Sequence, residues 1–464
     1  MKKLSGKFLF ALLVFVAGCK TQVPVSSSQA SSYTSFVNPF IGTTPLTDPK
    51  IVGFTVPDEW RPWSGLTYPG AALPNAMVQL SPINEWGSGA GYEYEDSVIL
   101  GFAHTNKGHW NLCNIPVLPV PGHVVKGKGY ASSFSHQQES AAPGFYQVTL
   151  LDYDINVKLT TTLRCGYHQY QFGNNQNRQV LFDLAKANNR VVDWKIEQVG
   201  TNAVQGYQDI RDEKIFFYAS VNAGIDKLEK IKEGTREGSA LLHLKNGGDG
   251  PVELKIGLSY VSIENAKQNL HQEIGNKTFA QVRKEADATW EALLSKIEVA
   301  GGTQKQKQMF YSSLYRTFLW PALRSDINGD YTDVKKKVIK ADFNYYTVPS
   351  LWDTYRNKLV LLGIVSPDVT ADVIQSLKDM GDKTGFIPTF FHGDHAAPFI
   401  AGSYLRGIEG FDAKGAYKHL LNNAFKEGPS RPHLNEYMAK GFVSDPYVEK
   451  PHVETKGKAG VSKT

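Results

Sequence analysis

The spacing of apolar residues changes once along this chain, near residue 262, and this change constrains the fold more than any other feature. Up to that point, short runs such as "FYQVTLLDYDINVKLTTTLRCGYHQYQF", "KIFFYASVNA" and "ELKIGLSYVSI" alternate apolar and polar residues, with Gly, Asn and Asp clusters between them. Short strands that do not alternate with helices favour an antiparallel sandwich over a parallel sheet. We therefore predict that the first half is an N-terminal antiparallel β-sandwich.

After residue 262 the apolar residues recur every three or four positions. Phe279, Val282, Ala286, Trp290 and Leu293 show this helical spacing in "NKTFAQVRKEADATWEALLSKI". The chain is therefore predicted to be a multidomain β + α protein, in which the β-sandwich is followed by a helical domain.

Further helices are predicted from residues that start and stop them. Thr303 is a plausible N-cap of a helix that ends near Pro321. Ser366 precedes Pro367, which suits the first helical position, and Asp412 is another predicted N-cap.

The amino terminus resembles an export signal. "MKKLSGKFLFALLVFVAGCK" has three lysines followed by an apolar run from Phe8 to Ala17, which is too short to span a membrane as a helix. The run ends in Val-Ala-Gly-Cys, which resembles a bacterial lipobox, and acyl chains on Cys19 would then anchor the protein. An ordinary signal peptide with a chance cysteine is the alternative. We predict a lipoprotein signal peptide over 1–19 and a polar tether over 20–35.

Charge and cysteine content exclude or leave open several classes of protein. The net charge of +5 over 464 residues is small and spread out, so nucleic acid is not expected as a partner. Aromatic residues make up 12% of the chain, which suits sugar binding but also a large β-rich core. Cys113 and Cys165 can form one disulfide or remain two buried thiols.

Gly and Pro residues break up the stretches "GLTYPGAALPNAMVQLSP" and "GYEYEDSVILGFAHTNKGHW". We expect their turns to present Tyr68, His104, His109 and Trp110 on loops, where binding residues concentrate. The edge of an aromatic-rich sandwich explains the same composition.

A second stretch, "YYTVPSLWDTYRNKLVLLGIVSP", places Trp352, Asp353 and Arg356 at the start of an apolar helix. Asp353 and Arg356 are three residues apart and can pair on one helix face. A Trp beside an Asp also suits a sugar site, because the ring stacks on the sugar and the carboxylate accepts hydroxyl hydrogens.

The third stretch, "GFIPTFFHGDHAAPF", contains His392, Asp394 and His395. Asp394 suits the N-cap of a helix that begins near Pro398. A metal site is a weaker alternative, because the spacing matches no standard ligand pattern. A general acid or a sugar contact is the third reading.

Six motifs resemble one enzyme family. They are "VNPFIGT", "TYPGAALPNAMVQLSP", "GYEYEDS..GFAHT", "LYRTFLWPAL.SD.NGDY", "SLWDTYR" and "PFIAGSYLRGIEGFD", and they occur in this order from Val37 onward. The series resembles the family 92 glycoside hydrolases, the exo-acting α-mannosidases of Bacteroidota.

The resemblance implies a fold and an activity. The expected fold is a β-sandwich over 36–270 and a catalytic (α/α)6 helical barrel over 271–464. The expected reaction releases mannose from α-linked mannosides of N-glycan or mannan type, with inversion at the anomeric carbon and with Ca²⁺ as cofactor. Inversion requires two carboxyl groups about 6.5–9.5 Å apart. The resemblance also implies that the lipid holds the exported protein at the outer membrane, on its periplasmic or cell-surface face.

The resemblance also implies roles for particular residues. Trp352, Asp353 and Arg356 fall on the family's sugar-contacting element. His104 falls on its "GF.HT" loop with Trp110 nearby. His395 matches a His that follows the family's general-acid loop.

This chain departs from the family in two places. The loop that carries the family's acidic Glu is shortened here, so Asp394 is the substitute candidate for the general acid. The chain stops at "GVSKT", where the family continues. We therefore expect an incomplete barrel with exposed apolar helix faces and a catalytic base beyond the C-terminus.

The shortened loop leaves two alternatives open. One is a surface lipoprotein that binds mannose or other glycans without cleaving them. The other is a related glycosidase with a changed acid and substrate.

Overall fold

Two antiparallel β-sheets occupy the first half of the chain in the computed structural model. The model describes residues 32–57, 65–107, 110–122, 129–174, 177–211, 213–232, 238–245, 250–390, 393–429 and 431–444. Everything reported below belongs to the unit that begins at Tyr33.

The strands described are short, as the alternating pattern predicts. In chain order they are β1 (Ala71–Ala72), β2 (Gln79–Ile83), β3 (Val98–Ile99), β4 (Gly101–Ala103), β5 (Asn106–Lys107), β6 (Trp110–Asn111), β7 (Val117–Val120), β8 (Ser132–Ser133), β9 (Glu139–Ala142), β10 (Phe145–Leu150), β11 (Ile155–Thr161), β12 (Cys165–Phe172), β13 (Gln179–Phe182), β14 (Asp193–Val199), β15 (Ala203–Asp209), β16 (Lys214–Val221), β17 (Ile225–Lys232), β18 (Ser239–Leu244), β19 (Val252–Ser259), β20 (Asp330–Thr332) and β21 (Val338–Lys340).

The helices follow the sheets, apart from short segments. They are α1 (Pro49–Val52), α2 (Ile263–Glu273), α3 (Phe279–Leu294), α4 (Gln304–Thr317), α5 (Leu351–Thr354), α6 (Lys358–Val365), α7 (Pro367–Thr384), α8 (Ala396–Leu405), α9 (Ala413–Phe425) and α10 (Leu434–Lys440), with 3₁₀ turns at Tyr33–Phe36 and His136–Gln138. This order confirms the predicted fold class, an antiparallel β domain followed by a helical domain.

The two large sheets share one hydrophobic core. The strand order is β1-β2-β4-β7-β13-β18-β17 in the seven-stranded sheet and β14-β15-β16-β19-β12-β11-β10-β9 in the eight-stranded sheet. Phe182 of the first sheet stacks on Phe217 of the second, with ring centroids 5.9 Å apart. Leu80 and Phe102 of the first and Val157 of the second are fully buried in the same cluster. The inward faces therefore pack as a sandwich.

Helices α2 and α3 cover the outer face of the eight-stranded sheet. Leu270 and Ile274 of α2 and its following turn, and Phe279 and Val282 of α3, form a second buried cluster with residues of that sheet. Gly257 of β19 permits the close approach, because a Cβ atom there would lie 2.3 Å from the carbonyl oxygen of Ala266. Cys165 and Tyr167 of β12 are buried in this second cluster.

The predicted helix caps are observed. Thr303 Oγ1 accepts a hydrogen bond from the Gln306 amide (3.3 Å), and Gln306 Oε1 accepts one from the Thr303 amide (2.8 Å). Asp412 is the N-cap of α9, and Ser366 precedes Pro367 at the start of α7. The N-terminal predictions at these helices are therefore confirmed.

One helix differs from its prediction. The apolar helix expected to start at Trp352 is interrupted, because α5 ends at Thr354 and α6 begins at Lys358. Asn357 has φ −130° and ψ −72°, which are not helical, and its side chain accepts a hydrogen bond from the Lys358 amide. Trp352 and Asp353 therefore lie on a separate short helix, and Arg356 lies in the connection.

The helical domain leaves large apolar side chains on its surface. Helix α7 packs between α6 and α9, and α8 contacts both α6 and α9. The most exposed large apolar side chains of these helices are Ile364, Tyr404, Leu405, Tyr417 and Phe425. Cys113 and Cys165 are buried thiols that are not joined in a disulfide, the second of the two states that the sequence left open.

Candidate active site

Two of the sequence motifs meet at one ring contact in the helical domain. Tyr355 belongs to "SLWDTYR" and His395 to "HGDH", and their ring centroids are 4.5 Å apart with 31° between the planes. The guanidinium carbon of Arg356 lies 5.1 Å from the centroid of the Tyr355 ring. Residues that are about 40 positions apart therefore form one local cluster.

A glycine makes room for the His395 ring. Gly393 has φ +74°, a backbone conformation that residues with a side chain rarely adopt. A Cβ atom at this position would lie 2.9 Å from Cε1 of His395. The Gly-Asp-His order therefore sets the position of the imidazole.

Asp394 is a half-buried carboxylic acid rather than a helix cap. The N-cap of α8 is His395, and no side-chain hydrogen bond caps this helix, so the interpretation of Asp394 as the cap is wrong. Instead, Asn423 Nδ2 of α9 donates to Asp394 Oδ1 over 3.3 Å. Burial raises the pKa of Asp394, opposed by the Asn423 hydrogen bond and by the charges of Arg431 and His395. A carboxyl that holds its proton to higher pH suits a proton donor.

Asn423 is itself held by the backbone. Its Oδ1 accepts from the Ile387 amide (3.1 Å), and its Nδ2 also donates to the Ile387 carbonyl (3.0 Å). Both groups of this buried amide are therefore engaged, so the side chain is a fixed donor to Asp394. No local pattern around Asn423 indicates this role, because the partners lie 36 and 29 positions earlier.

The Trp352–Asp353 pair faces outward. Trp352 is 45% exposed, and Asp353 is exposed as well. Asp353 lines a cavity of about 220 Å³ together with Tyr68 of the β domain and Arg316 of α4. Among the described residues, Asp353 and Arg356 do not form the ion pair that their spacing would allow.

A larger cleft of about 720 Å³ lies between the two domains. It is lined by aromatic rings, among them Tyr260 and Phe390, and by the side chain of Arg324. The guanidinium carbon of Arg324 lies 3.8 Å from the Tyr260 ring centroid, and its Nη1 lies 3.1 Å from Glu213 Oε2. Phe390 comes four residues before Asp394 in the sequence.

His104 is placed where no ligand can reach it. It is fully buried between the sheets, its Nδ1 lies 2.8 Å from the Ile115 carbonyl oxygen, and its Nε2 lies 3.0 Å from Nε2 of His168. Burial lowers the pKa of His104 to about 4. This placement is not the loop contact with a sugar that was expected for His104, because the side chain is buried and both ring nitrogens already have partners inside the sandwich.

Other predicted residues lie outside the described part of the chain. Cys19, His109 and His392 are among the residues that the structure does not describe, and Trp110 is described only as part of β6, without its side chain. Their predicted roles stay predictions.

The described residues hold no cluster of three or more His, Cys, Asp or Glu side chains that could bind a metal ion. Asp326, the most buried carboxylate of the "SD.NGDY" motif, accepts hydrogen bonds from Ser259, Asn265 and Asn269 instead. A Ca²⁺ ion therefore does not fit a preformed carboxylate cluster among these residues.

Within the residues that the structure describes, every helix is too short or too polar to cross a membrane.

Solved structures show the same fold. A family GH92 alpha-mannosidase from Bacteroides thetaiotaomicron has a TM-score of 0.78 and 25% identity, covering 88% of this chain and 58% of that one. Its complex with mannoimidazole has a TM-score of 0.78 and 24% identity, covering 88% of this chain and 57% of that one. A family GH92 inverting mannosidase from Bacteroides thetaiotaomicron VPI-5482 has a TM-score of 0.78 and 23% identity, covering 90% of this chain and 60% of that one. The chain thus spans less than two thirds of these proteins.

Family models match nearly all of the described chain. The N-terminal domain of glycosyl hydrolase family 92 matches residues 36–259, and the catalytic domain of the same family matches residues 265–464. No curated protein sequence matches the chain. Because two consecutive models of one family cover both halves in the family's order, the chain belongs to glycosyl hydrolase family 92.

Proposed function

We propose that this protein is a glycoside hydrolase that releases mannose from α-linked mannosides of N-glycan or mannan type. The observation that carries the proposal is the contact between Tyr355 and His395, which joins the "SLWDTYR" element to the segment that holds a carboxylic acid of raised pKa. Membership of family 92 and the 25% identity to an alpha-mannosidase of that family support the substrate class.

The proposal gives Asp394 the role of general acid. Its burial keeps the carboxyl protonated to higher pH, and the fixed amide of Asn423 orients it. A general acid donates its proton to the glycosidic oxygen as the bond to the anomeric carbon breaks. In an inverting reaction, a second carboxylate removes a proton from the attacking water.

The exposed Trp352 and Asp353 are proposed as sugar contacts, beside Arg356 and His395. An exposed indole offers an apolar face to a pyranose ring, and an exposed carboxylate accepts hydrogen bonds from hydroxyl groups. Trp110 is retained in the proposal as a contact on the leaving-group side.

The test is hydrolysis of α-1,2-mannobiose by the complete gene product, with proton NMR to identify the anomer that is released first. We expect free mannose, appearing first as the β-anomer if the reaction inverts. Absence of mannose from every member of a panel of α-mannosides would contradict the proposal. Calorimetric binding of mannose without any turnover would instead indicate a glycan-binding lipoprotein.

We further propose that hydrolysis depends on Ca²⁺. Calcium takes six to eight oxygen ligands, and these include backbone carbonyls, amide side chains, water and ligand hydroxyls as well as carboxylates. A site assembled in this way needs no cluster of acidic side chains. We expect EDTA to abolish mannose release and added Ca²⁺, but not Mg²⁺, to restore it. Full activity of EDTA-treated, metal-free protein would contradict the dependence.

A further inference from the structure

A small cavity at the junction of the two domains is lined by cationic and donor side chains. Its wall includes Tyr68 of the β domain, Arg316 at the end of α4, Trp320 after it, Asp353 of α5 and Lys358 of α6. The volume of about 220 Å³ is below the roughly 300–1,000 Å³ of pockets for drug-sized ligands. The cavity therefore suits a ligand of few heavy atoms.

Several buried donors here have no acceptor among the described residues. Trp320 is 5% exposed, and its Nε1 makes no hydrogen bond. Nε and Nη1 of Arg316 are buried without an acceptor, whereas its Nη2 donates to the carbonyl oxygens of Pro39 (2.6 Å) and Ile41 (2.5 Å). A buried donor without an acceptor is unfavourable, and more so when the group is charged. Among the described residues these donors lack an acceptor, and the oxygen atoms of a bound anion would supply one.

The electrostatics of the cavity favour a negative charge. Arg316 remains protonated at neutral pH, although burial lowers its pKa to about 10. Burial lowers the pKa of Lys358 to about 8, so its ammonium group is poorly solvated and would gain from a nearby anion. Lys358 is also the first residue of α6, where the helix dipole is positive.

Asp353 is the carboxylate that opposes this preference. It lines the same cavity, but it is exposed to solvent, where water and salt screen its charge. Arg316 and Lys358 are the more desolvated charges, so their field dominates inside the cavity.

We propose that this cavity binds an oxyanion, a phosphate, sulfate or carboxylate group, through Arg316, Lys358 and the indole N–H of Trp320. The oxyanion can be a free ion or a substituent on a sugar. Binding does not depend on the proposed hydrolysis, so this site can be tested even if the chain cleaves no mannoside.

The first experiment measures thermal stability against increasing inorganic phosphate, with chloride at equal ionic strength as the reference. We expect a saturable rise in Tm with phosphate beyond that with chloride, because a ligand that binds only the folded state stabilises it. A Tm that changes equally with phosphate and chloride would overturn the proposal.

Two variants connect the effect to the cavity. Lys358→Met keeps the apolar stem and removes the charge, and we expect it to weaken phosphate binding about tenfold or more. Trp320→Phe removes the unpaired donor together with part of the ring. We expect Trp320→Phe to have a somewhat lower Tm without phosphate, because the smaller ring leaves a void, and to lose part of the phosphate-dependent rise.

Lys418→Met is the control, because Lys418 is an exposed lysine of α9 that does not line the cavity. It should keep the full phosphate effect. If Lys358→Met and Trp320→Phe both bind phosphate as tightly as the unaltered protein, the anion binds elsewhere and the assignment to this cavity is wrong.

The source of the oxyanion is distinguished with a matched pair of carboxylates, acetate and glucuronate. Binding of glucuronate about tenfold tighter than acetate would support an anionic group carried by a sugar. Equal affinity would support a free ion. If neither phosphate nor either carboxylate produces a saturable effect, the cavity is not an oxyanion site.

Discussion

At the scale of single residues, Asp394 and Asp412 contrast in what surrounds their carboxylates. Asp394 is half-buried beside Asn423, and its pKa is raised by burial. Asp412 is exposed and caps α9 through a hydrogen bond of 2.8 Å from the Gly415 amide to its Oδ1, which lowers its pKa. Both are aspartates just before a helix in the sequence, so the difference in their pKa values comes from their surroundings in the fold.

If Asp394 is the general acid, Asp394→Asn should lower kcat for mannobiose about 10²–10⁴-fold, because the amide cannot donate a proton in the same way. Its Tm should change little, since the amide has the same shape. Asp412→Ala is the control, and it should cost about 0.5–2 kcal/mol of stability and leave kcat unchanged. Unaltered kcat in Asp394→Asn would remove Asp394 from the mechanism.

The buried histidines of the sandwich have a single consistent arrangement of protons. His104 Nδ1–H donates to the Ile115 carbonyl, so its Nε2 is free to accept from Nε2–H of His168. The remaining nitrogen of His168, Nδ1, then accepts from the Tyr170 hydroxyl over 2.9 Å. Both imidazoles are therefore neutral in the folded protein. The pKa of His168 is well below its ordinary value because of burial and of the neighbouring His104.

This arrangement predicts a pH-dependent stability. Unfolded histidine titrates near 6.5, whereas the folded pKa of His104 is about 4, so the unfolded chain binds more protons between these values. The free energy of unfolding should therefore be fully present above about pH 6.5 and should decrease as the pH falls toward 4, by about 3 kcal/mol from His104 alone. Urea unfolding at pH 7.5 and pH 5 measures about 2 kcal/mol of this difference, because pH 5 lies about 1.5 units below the unfolded pKa.

His168→Gln should reduce the difference between the two pH values, because one of the two titrating groups is removed. His271→Gln, at an exposed histidine of α2, should keep the pH dependence of the unaltered protein. Equal pH dependence in all three proteins would contradict the assignment to the buried pair.

At the scale of elements, α2 is joined to the β domain by a buried ion pair at its last residue. Glu273 Oε1 accepts from Arg164 Nη1 over 2.8 Å, and its Oε2 accepts from the Arg164 amide (2.8 Å) and from the Thr162 hydroxyl. Arg164 Nε also donates to the Ser325 carbonyl. The Glu273–Arg164 pair therefore connects three segments: the turn between β11 and β12, the end of α2 and the segment that follows α4.

Breaking this pair should be costly. Glu273→Gln leaves the guanidinium of Arg164 buried without its counter-charge, so we expect a loss of about 3–5 kcal/mol in urea unfolding. Glu285→Gln is the matched control, since Glu285 pairs with Lys277 on the surface, and it should change stability by about 0–1 kcal/mol. Equal effects of the two substitutions would show that the buried pair does not join the elements.

The helix starts could be predicted because their signals are local. The side chains of Thr303 and Asp412 accept hydrogen bonds from amides in the first turn of their helices, and Pro367, after Ser366, has no amide hydrogen there. Each of these properties belongs to one or two residues. The break between α5 and α6 could not be predicted in the same way, since the residues around Asn357 contain no proline or glycine.

At the scale of the whole molecule, the β domain and the helical domain form the walls of both cavities described above. Tyr68 contributes to the smaller cavity and Glu213 to the larger cleft, and both belong to the β domain. The walls outside the β domain come from segments beyond residue 315. Substitutions in the β domain are therefore expected to alter ligand binding as well as stability.

The proposed export and lipid anchor concern the whole protein in its cell. We propose that the chain is held at the outer membrane through acyl chains on Cys19. The unaltered protein should be found in the membrane fraction and incorporate labelled palmitate, and Cys19→Ala should do neither. Cys113→Ser should keep both properties, because Cys113 is buried in the β domain. Equal labelling of Cys19→Ala and the unaltered protein would rule out the anchor.

The sequence by itself determined the order of a β domain and a helical domain, the starts of α4, α7 and α9, and the motif series of the family. These depend on apolar periodicity and caps, which neighbouring residues specify. Only the tertiary structure decided that His104 is enclosed by His168, 64 positions away, and that Asp394 is held by Asn423 of a later helix. Burial and hydrogen bonds between distant segments set the accessibility and pKa of a side chain, and no local pattern contains that information.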